Sequence, residues 1–178
     1  MPNPNRSKIK NLIHHIAHVT RNMNGFGRTK LYKVMWFFEA GQYTTTREVF
    51  SGATFVRDNF GPRLKGFESL FHELETERRI RSFNEPYYNQ TIKRVVSKSP
   101  PPPGLFNQNQ ARDFDYWIKT IGAMTADEIS EQSHDYGWEI VSQGDEIPLS
   151  SVLAKRVRDP NSEELKWAKA RARELRRL

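Results

Sequence analysis

Three histidines near the start of the chain, His14, His15 and His18, come closest in type and spacing to a reactive site. His14 and His18 stand four apart, which on a helix stacks them on one face, as in metal-binding pairs. At about 100° per residue that face lies opposite Ile9, Leu12 and Ile16 and is shared with Lys10 and Arg21. Basic neighbours repel a cation, and no carboxylate stands in this helix to complete a ligand set. The face therefore reads as solvated and partly titrating. His14, His18 and Arg21 are expected to contact a partner, and no metal is expected.

Ser133-His134-Asp135 names the members of a hydrolytic triad, but triad residues converge in space and do not follow one another along the chain. There is no Gly-x-Ser-x-Gly elbow either. His134 reads instead as a buried or half-buried histidine that ties its acidic segment to the first half of the chain. Gly25-Phe26-Gly27-Arg28 is a helix link and lacks the phosphate-cradling Gly-x-x-x-x-Gly-Lys pattern. Glu73, Glu75 and Glu77 fan out around a helix and do not pair for acid–base work. The 178 residues include no cysteine, which excludes disulfides, thiolate zinc sites and a cysteine nucleophile. No catalytic residue and no cofactor are expected.

Around these residues the composition is that of a folded domain: 37% hydrophobic and 12% aromatic, too rich in large side chains for disorder throughout. No stretch approaches the ~18–20 apolar residues of a membrane span, and the N-terminus lacks an apolar signal core. A cytoplasmic protein is expected. The net charge of +7 is unevenly spread. Residues 1–104 hold 17 Lys/Arg against 8 Asp/Glu, residues 105–150 hold 2 against 9, and residues 151–178 hold 9 against 4. Such asymmetry either steers a charged partner or reflects acidic and basic surfaces of one fold facing each other. Nucleic acid is an admissible partner at this pI, although basic composition alone does not favour it.

Apolar periodicity predicts a helix over 7–23, with Ile9, Leu12, Ile13, Ile16, Thr20 and Met23 on one stripe and Asn24-Gly25 ending it. A second helix runs from Thr29 to about Ala40, stopped by Gly41, and is apolar around much of its circumference, which makes it the central one. Residues 44–60 read as irregular, or as irregular with a short helix over 46–50. Asn59-Phe60-Gly61-Pro62 reads as a turn into a helix with Pro62 near its first position, carrying Leu64, Phe67, Leu70, Phe71 and Leu74. Ile80–Phe83 and Thr91–Val96 read as a hairpin joined through Asn84-Glu85-Pro86. Four prolines within 99–104 form a stiff connector or, alternatively, a ligand for a proline-recognition module. A helix follows over about 107–121, then one opened by the capping box Thr125-Ala126-Asp127-Glu128. Ile147–Leu149 is extended, 150–155 a helical turn, and Asp159-Pro160 opens a last helix to Leu178.

In order along the chain, TKLYKVMWFFE at 29–39, SGATFVRDNFGP at 51–62, HELE at 72–75 and SHDYGW at 133–138 resemble the Panacea domain, also called the SocA-like or GepA-like domain. The resemblance runs from about residue 8 to residue 157. It implies a mainly α, single compact multi-helix domain with a small β-hairpin (α+β) over residues 1–158, extended by an arginine-rich helix over 159–178. It also implies the antitoxin half of a bacterial or phage toxin–antitoxin pair, which neutralises a cognate protein toxin by binding it. Translation inhibitors, alarmone-synthetase-like enzymes among them, are the implied toxin class. An adaptor that presents a toxin to a AAA+ protease and a DNA-binding regulator are the alternatives. Lys30, Gly52, Gly61, Pro62, Ser133 and His134 match the family pattern, and their types point to structural work.

The last helix departs from that pattern. Leu165, Ala168, Ala172 and Leu175 form a thin stripe able to dock on the body, while Trp167 stands among cations. An exposed Trp between arginines is how interface anchors look. Trp167, Arg171, Arg173 and Arg177 are therefore expected to contact a partner, with core docking or a solvated tail as the other readings. Nothing in the sequence sets an oligomeric state.

Overall fold

Asn5 starts the first helix: its side chain accepts from Lys8 N at 3.0 Å, satisfying an amide that helix geometry leaves without a partner. The computed structural model describes residues 5–156 together with 162, 163, 165–167 and 171. Helix α1 (Arg6–Val19) ends earlier than its apolar periodicity suggested. Thr20 closes it by donating from both N and Oγ1 to Ile16 O. Arg94 then takes over the following carbonyls, donating to Arg21 O at 3.0 Å and to Met23 O.

Helix α2 (Arg28–Thr46) does not stop at Gly41. A Cβ there would lie 3.4 Å from the Trp117 indole nitrogen, so the glycine serves close helix packing inside a continuing helix. The helix ends instead at Arg47, with φ +63°. As expected of a central helix, α2 is buried on nearly every side, from Leu31, Val34 and Met35 to Trp36 and Phe38.

Residues 44–60 are not all irregular. Strand β1 (Phe55–Val56) pairs antiparallel with β2 (Arg63–Leu64), so Pro62 precedes a strand and not a helix. Helix α3 (Phe67–Thr76) begins after Gly66 and buries Phe67, Leu70, Phe71 and Leu74 as the stripe predicted. Strands β3 (Ile80–Tyr87) and β4 (Gln90–Ser97) form the expected hairpin, but it turns at Tyr88-Asn89, with Tyr88 at φ +52°, and not at Asn84–Pro86. Pro86 lies inside β3, whose outer edge has no partner strand among the described residues and therefore tolerates a missing N–H.

Helix α4 (Gln108–Ala123) carries Phe114, Ile118 and Ile121 inward. Helix α5 (Ala126–Ser133) opens on the predicted capping box between Thr125 and Glu128. The short α6 (Tyr136–Glu139) had no signal in the sequence. Strand β5 (Glu146–Ile147) adds to β1 from the other side, giving the order β2-β1-β5, and a 3-10 segment follows at Leu149–Arg156. One buried core runs from Leu12 and Ile16 of α1 through α2 to α3 and α4. The fold is mainly α with the hairpin that the sequence predicted, and the three-stranded β2-β1-β5 sheet is an addition to that prediction. Among the described residues no helix is long and apolar enough to cross a membrane.

Candidate functional site

The fold brings the family-like positions Gly61-Pro62 and Ser133-His134 to a single joint. Lys33 stands at its centre. As an α2 residue on a helix buried all round, Lys33 is only 1% exposed, and its Nζ donates to Pro62 O at 3.2 Å. Gly61 has φ +87°, and a Cβ on it would lie 2.5 Å from Lys33 Nζ and closer still to Ser133 Oγ. Ser133, 0% exposed, donates to Ser130 O at 2.8 Å. The residue types of a serine–lysine dyad are thus together, but both side chains are sealed from any substrate. The arrangement locks the turn at 58–61 against the end of α5.

The same joint aligns the segment that follows. The His134 ring stacks on Trp138, with centroids 3.8 Å apart, and Trp138 Nε1 donates to Asp58 O at 3.0 Å. The Arg57 guanidinium lies 4.0 Å from the centre of the Trp138 ring and donates to Glu139 O and Val141 O. His134 Nε2 is buried without a hydrogen-bond partner among the described residues. Burial first, then the Lys33 and Arg57 charges, hold its pKa below the usual histidine value. His134 is half-buried, as its type suggested, but the contacts that join the acidic segment to the first half are made by Trp138, on which its ring stacks.

Burial pushes the Lys33 ammonium down to about 7, with Asp58 pulling weakly the other way. The unfolded chain keeps an ordinary lysine near 10.4. Between those values the unfolded state binds more protons, so stability should rise with pH from about 7 to about 10. Below about 7 the penalty of the buried charge is fully present. Denaturant unfolding at pH 7, 8 and 9 should show Lys33→Met with a flatter dependence than the native chain. Parallel pH curves for the two proteins would contradict this placement of Lys33.

The other sequence-predicted residues lie apart from the joint. Lys30 Nζ donates to Gly122 O at 3.1 Å, placing a cation at the end of α4, where the helix dipole favours it. Gly52 has φ +74° in the loop held by Glu39, whose buried carboxylate accepts from Phe50 N at 3.1 Å and from Ser51 N at 3.0 Å. His14 corrects the expectation of a solvated face: it is 1% exposed. Its Nδ1 accepts from Arg79 Nε at 3.1 Å, and its Nε2 donates to Ser99 O at 2.9 Å. Both ring nitrogens are thus used, one tying α1 to Arg79 just ahead of β3 and the other to Ser99 between β4 and the proline segment. The helical wheel placed His14 opposite the α2-facing stripe correctly, but β4 covers that side too. His18 is half-buried and Arg21 exposed. Leu165, expected to face the body, is 43% exposed, and Trp167 is 71% exposed. Arg171 is exposed, whereas Arg173, Arg177 and most of the expected last helix lie outside the described residues.

Sequence reasoning missed Lys33 and Glu39. Its own reading of α2 as apolar around its circumference was the available signal: a charge on such a helix has no solvent side to face. It also missed three exposed apolar side chains near the joint. Phe60 stands next to Gly61, and Tyr136 and Ile140 stand one turn apart on and beside α6. Gly137 lets α6 lie flush on the 3-10 segment, since a Cβ there would meet Ser151 and Ile147.

A family model described as the SocA-like antitoxin Panacea domain matches residues 31–139, more than half of the chain, from the first turn of α2 to the end of α6. No curated protein and no solved structure matches it.

Proposed function

The chain belongs to the Panacea-domain family of SocA-like antitoxins, and from that premise we propose that it neutralises a cognate protein toxin by direct, stoichiometric binding. The family match carries the reading. The geometry supports it in one respect: the polar residues that resemble a catalytic set, Lys33 and Ser133, are enclosed and serve packing, while apolar side chains such as Phe60, Tyr136 and Ile140 face outward. Exposed aromatics of that kind suit protein contacts. The toxin is a translation inhibitor, and the neutralising contact sequesters it without chemistry.

Co-expression with a toxic open reading frame adjacent to this gene tests the reading. Growth and protein synthesis should recover, and the two proteins should co-purify with the toxin at undiminished abundance. Recovery accompanied by loss of the toxin protein would instead favour delivery to a protease. Recovery without any complex would contradict binding.

A further inference from the structure

The charge segregation resolves in the fold in a way that identifies a surface. Residues 120–154 contain seven Asp/Glu and no Lys or Arg. Among the described residues the basic first half meets them at few points: Lys65 pairs with Glu146, Lys30 attracts Glu128, and Arg57 donates to Glu139 O. Its other ion pairs are internal, such as Arg28–Glu68, Arg63–Asp58 and Arg94–Glu85. Asp127, Glu131 and Glu139 are exposed, and among the described residues no Lys or Arg pairs with them. Among the described residues, these carboxylates are therefore open to a partner, as the steering reading of the charge pattern requires.

The acidic segment also carries apolar side chains that an acidic solvent-facing surface has no use for. Tyr136 and Ile140 are each 55% exposed. Asp135, the N-cap of α6, borders an aromatic groove of about 280 Å3 between α2 and α4, walled by Phe37, Gly41, Trp117 and Val152. Phe37 and Trp117 stack there at 4.9 Å, and Tyr116, 58% exposed, meets Trp117 edge-on. The groove falls just below the ~300–1,000 Å3 of small-molecule pockets, a size suited to one anchoring side chain. Aromatic faces beside carboxylates attract cations and exclude anions.

We infer that the groove and α6 together form the docking surface for a basic, apolar-anchored segment of the partner protein, one of whose Arg or Lys side chains seats against Trp117. This rests on the antitoxin reading for the identity of the partner, but not for the chemistry of the surface. Acidic rims act mainly on encounter rate and salt dependence, whereas the desolvated aromatic centre sets residence time.

The test uses the full chain, labelled with 15N, and a synthetic amphipathic helical peptide bearing arginines on one face and leucine and tryptophan on the other. Amide shifts should cluster at residues 37–45, 116–117 and 131–140 and shrink as salt is added. The peptide with glutamate in place of arginine should leave the spectrum unchanged. Glu131→Lys/Glu139→Lys and Tyr136→Ser/Ile140→Ser should each weaken binding at least tenfold without changing the melting temperature. Shifts spread over the basic half, equal binding by the glutamate peptide, or unchanged affinity in both double variants would overturn the inference. So would peptide affinity that rises when residues 159–178 are deleted, since the chain's own basic end would then be the occupant, or concentration-dependent dimerisation through the same residues. A toxin that fails to co-purify while the peptide results hold would remove the antitoxin reading and leave the surface standing.

Discussion

Replacing Gly61 with alanine is expected to destabilise the protein by about 2–6 kcal/mol. Two effects add. A φ of +87° lies in the region where a Cβ is strained, at about 1–3 kcal/mol. The new methyl would also press on Lys33 Nζ and Ser133 Oγ, both fixed inside the core, and overpacking costs about 1–3 kcal/mol. Gly66→Ala separates the two, because Gly66 has φ +68° and nothing within 4 Å of its Cβ position. Only the conformational penalty applies there. Denaturant midpoints of the two variants should therefore differ, with Gly61→Ala the lower. Equal midpoints would mean that the joint between Lys33 and Ser133 yields easily and does not hold the 58–61 turn.

Glu39→Ala is expected to cost about 3–5 kcal/mol, because it leaves two buried amides and a buried hydroxyl without an acceptor, at roughly 1–3 kcal/mol each before relaxation. Those donors are Phe50 N, Ser51 N and Ser51 Oγ, and Ser51 Oγ in turn accepts from Ala53 N at 3.2 Å. The Glu39 carboxylate thus acts as the template for the loop around Gly52. Burial pushes it up to about 6 despite these donors, so the carboxylate is partly protonated at mildly acid pH. Glu39→Gln keeps one carbonyl acceptor and should lose less. Hydrogen exchange at Phe50 and Ser51 should quicken in Glu39→Ala beyond the global change in stability. Retained protection of these two amides would show that the loop holds itself.

Much of the helical architecture was legible because burial on one side leaves a periodic trace. The stripe of α1, the Thr125–Glu128 box and the inward face of α4 were all readable in that way. The small sheet was not, since strands of two residues such as β1, β2 and β5 are too short to show alternation. The 63–64 pairing is also what moved the start of α3 beyond Pro62. Gly41 was misread as a stop because a helix glycine signals either a cap or a close neighbour, and the neighbour, Trp117, lies 76 residues away in sequence. The joint was hidden for the same reason. Gly61 and Ser133 are local punctuation until α2 places Lys33 between them. His14 was assigned to solvent because a helical wheel shows the first wall packed against a helix and not the second.

The measurement that bears most directly on the antitoxin reading is a titration of this protein into a translation reaction inhibited by a fixed concentration of a toxin whose effect on growth it reverses on co-expression, followed by intact mass. Activity should recover linearly to an endpoint at a fixed molar ratio, and the toxin should regain inhibition, at unchanged mass, once the complex is dissociated. Complete and lasting recovery at a small fraction of that ratio, or a toxin of altered mass, would contradict stoichiometric binding.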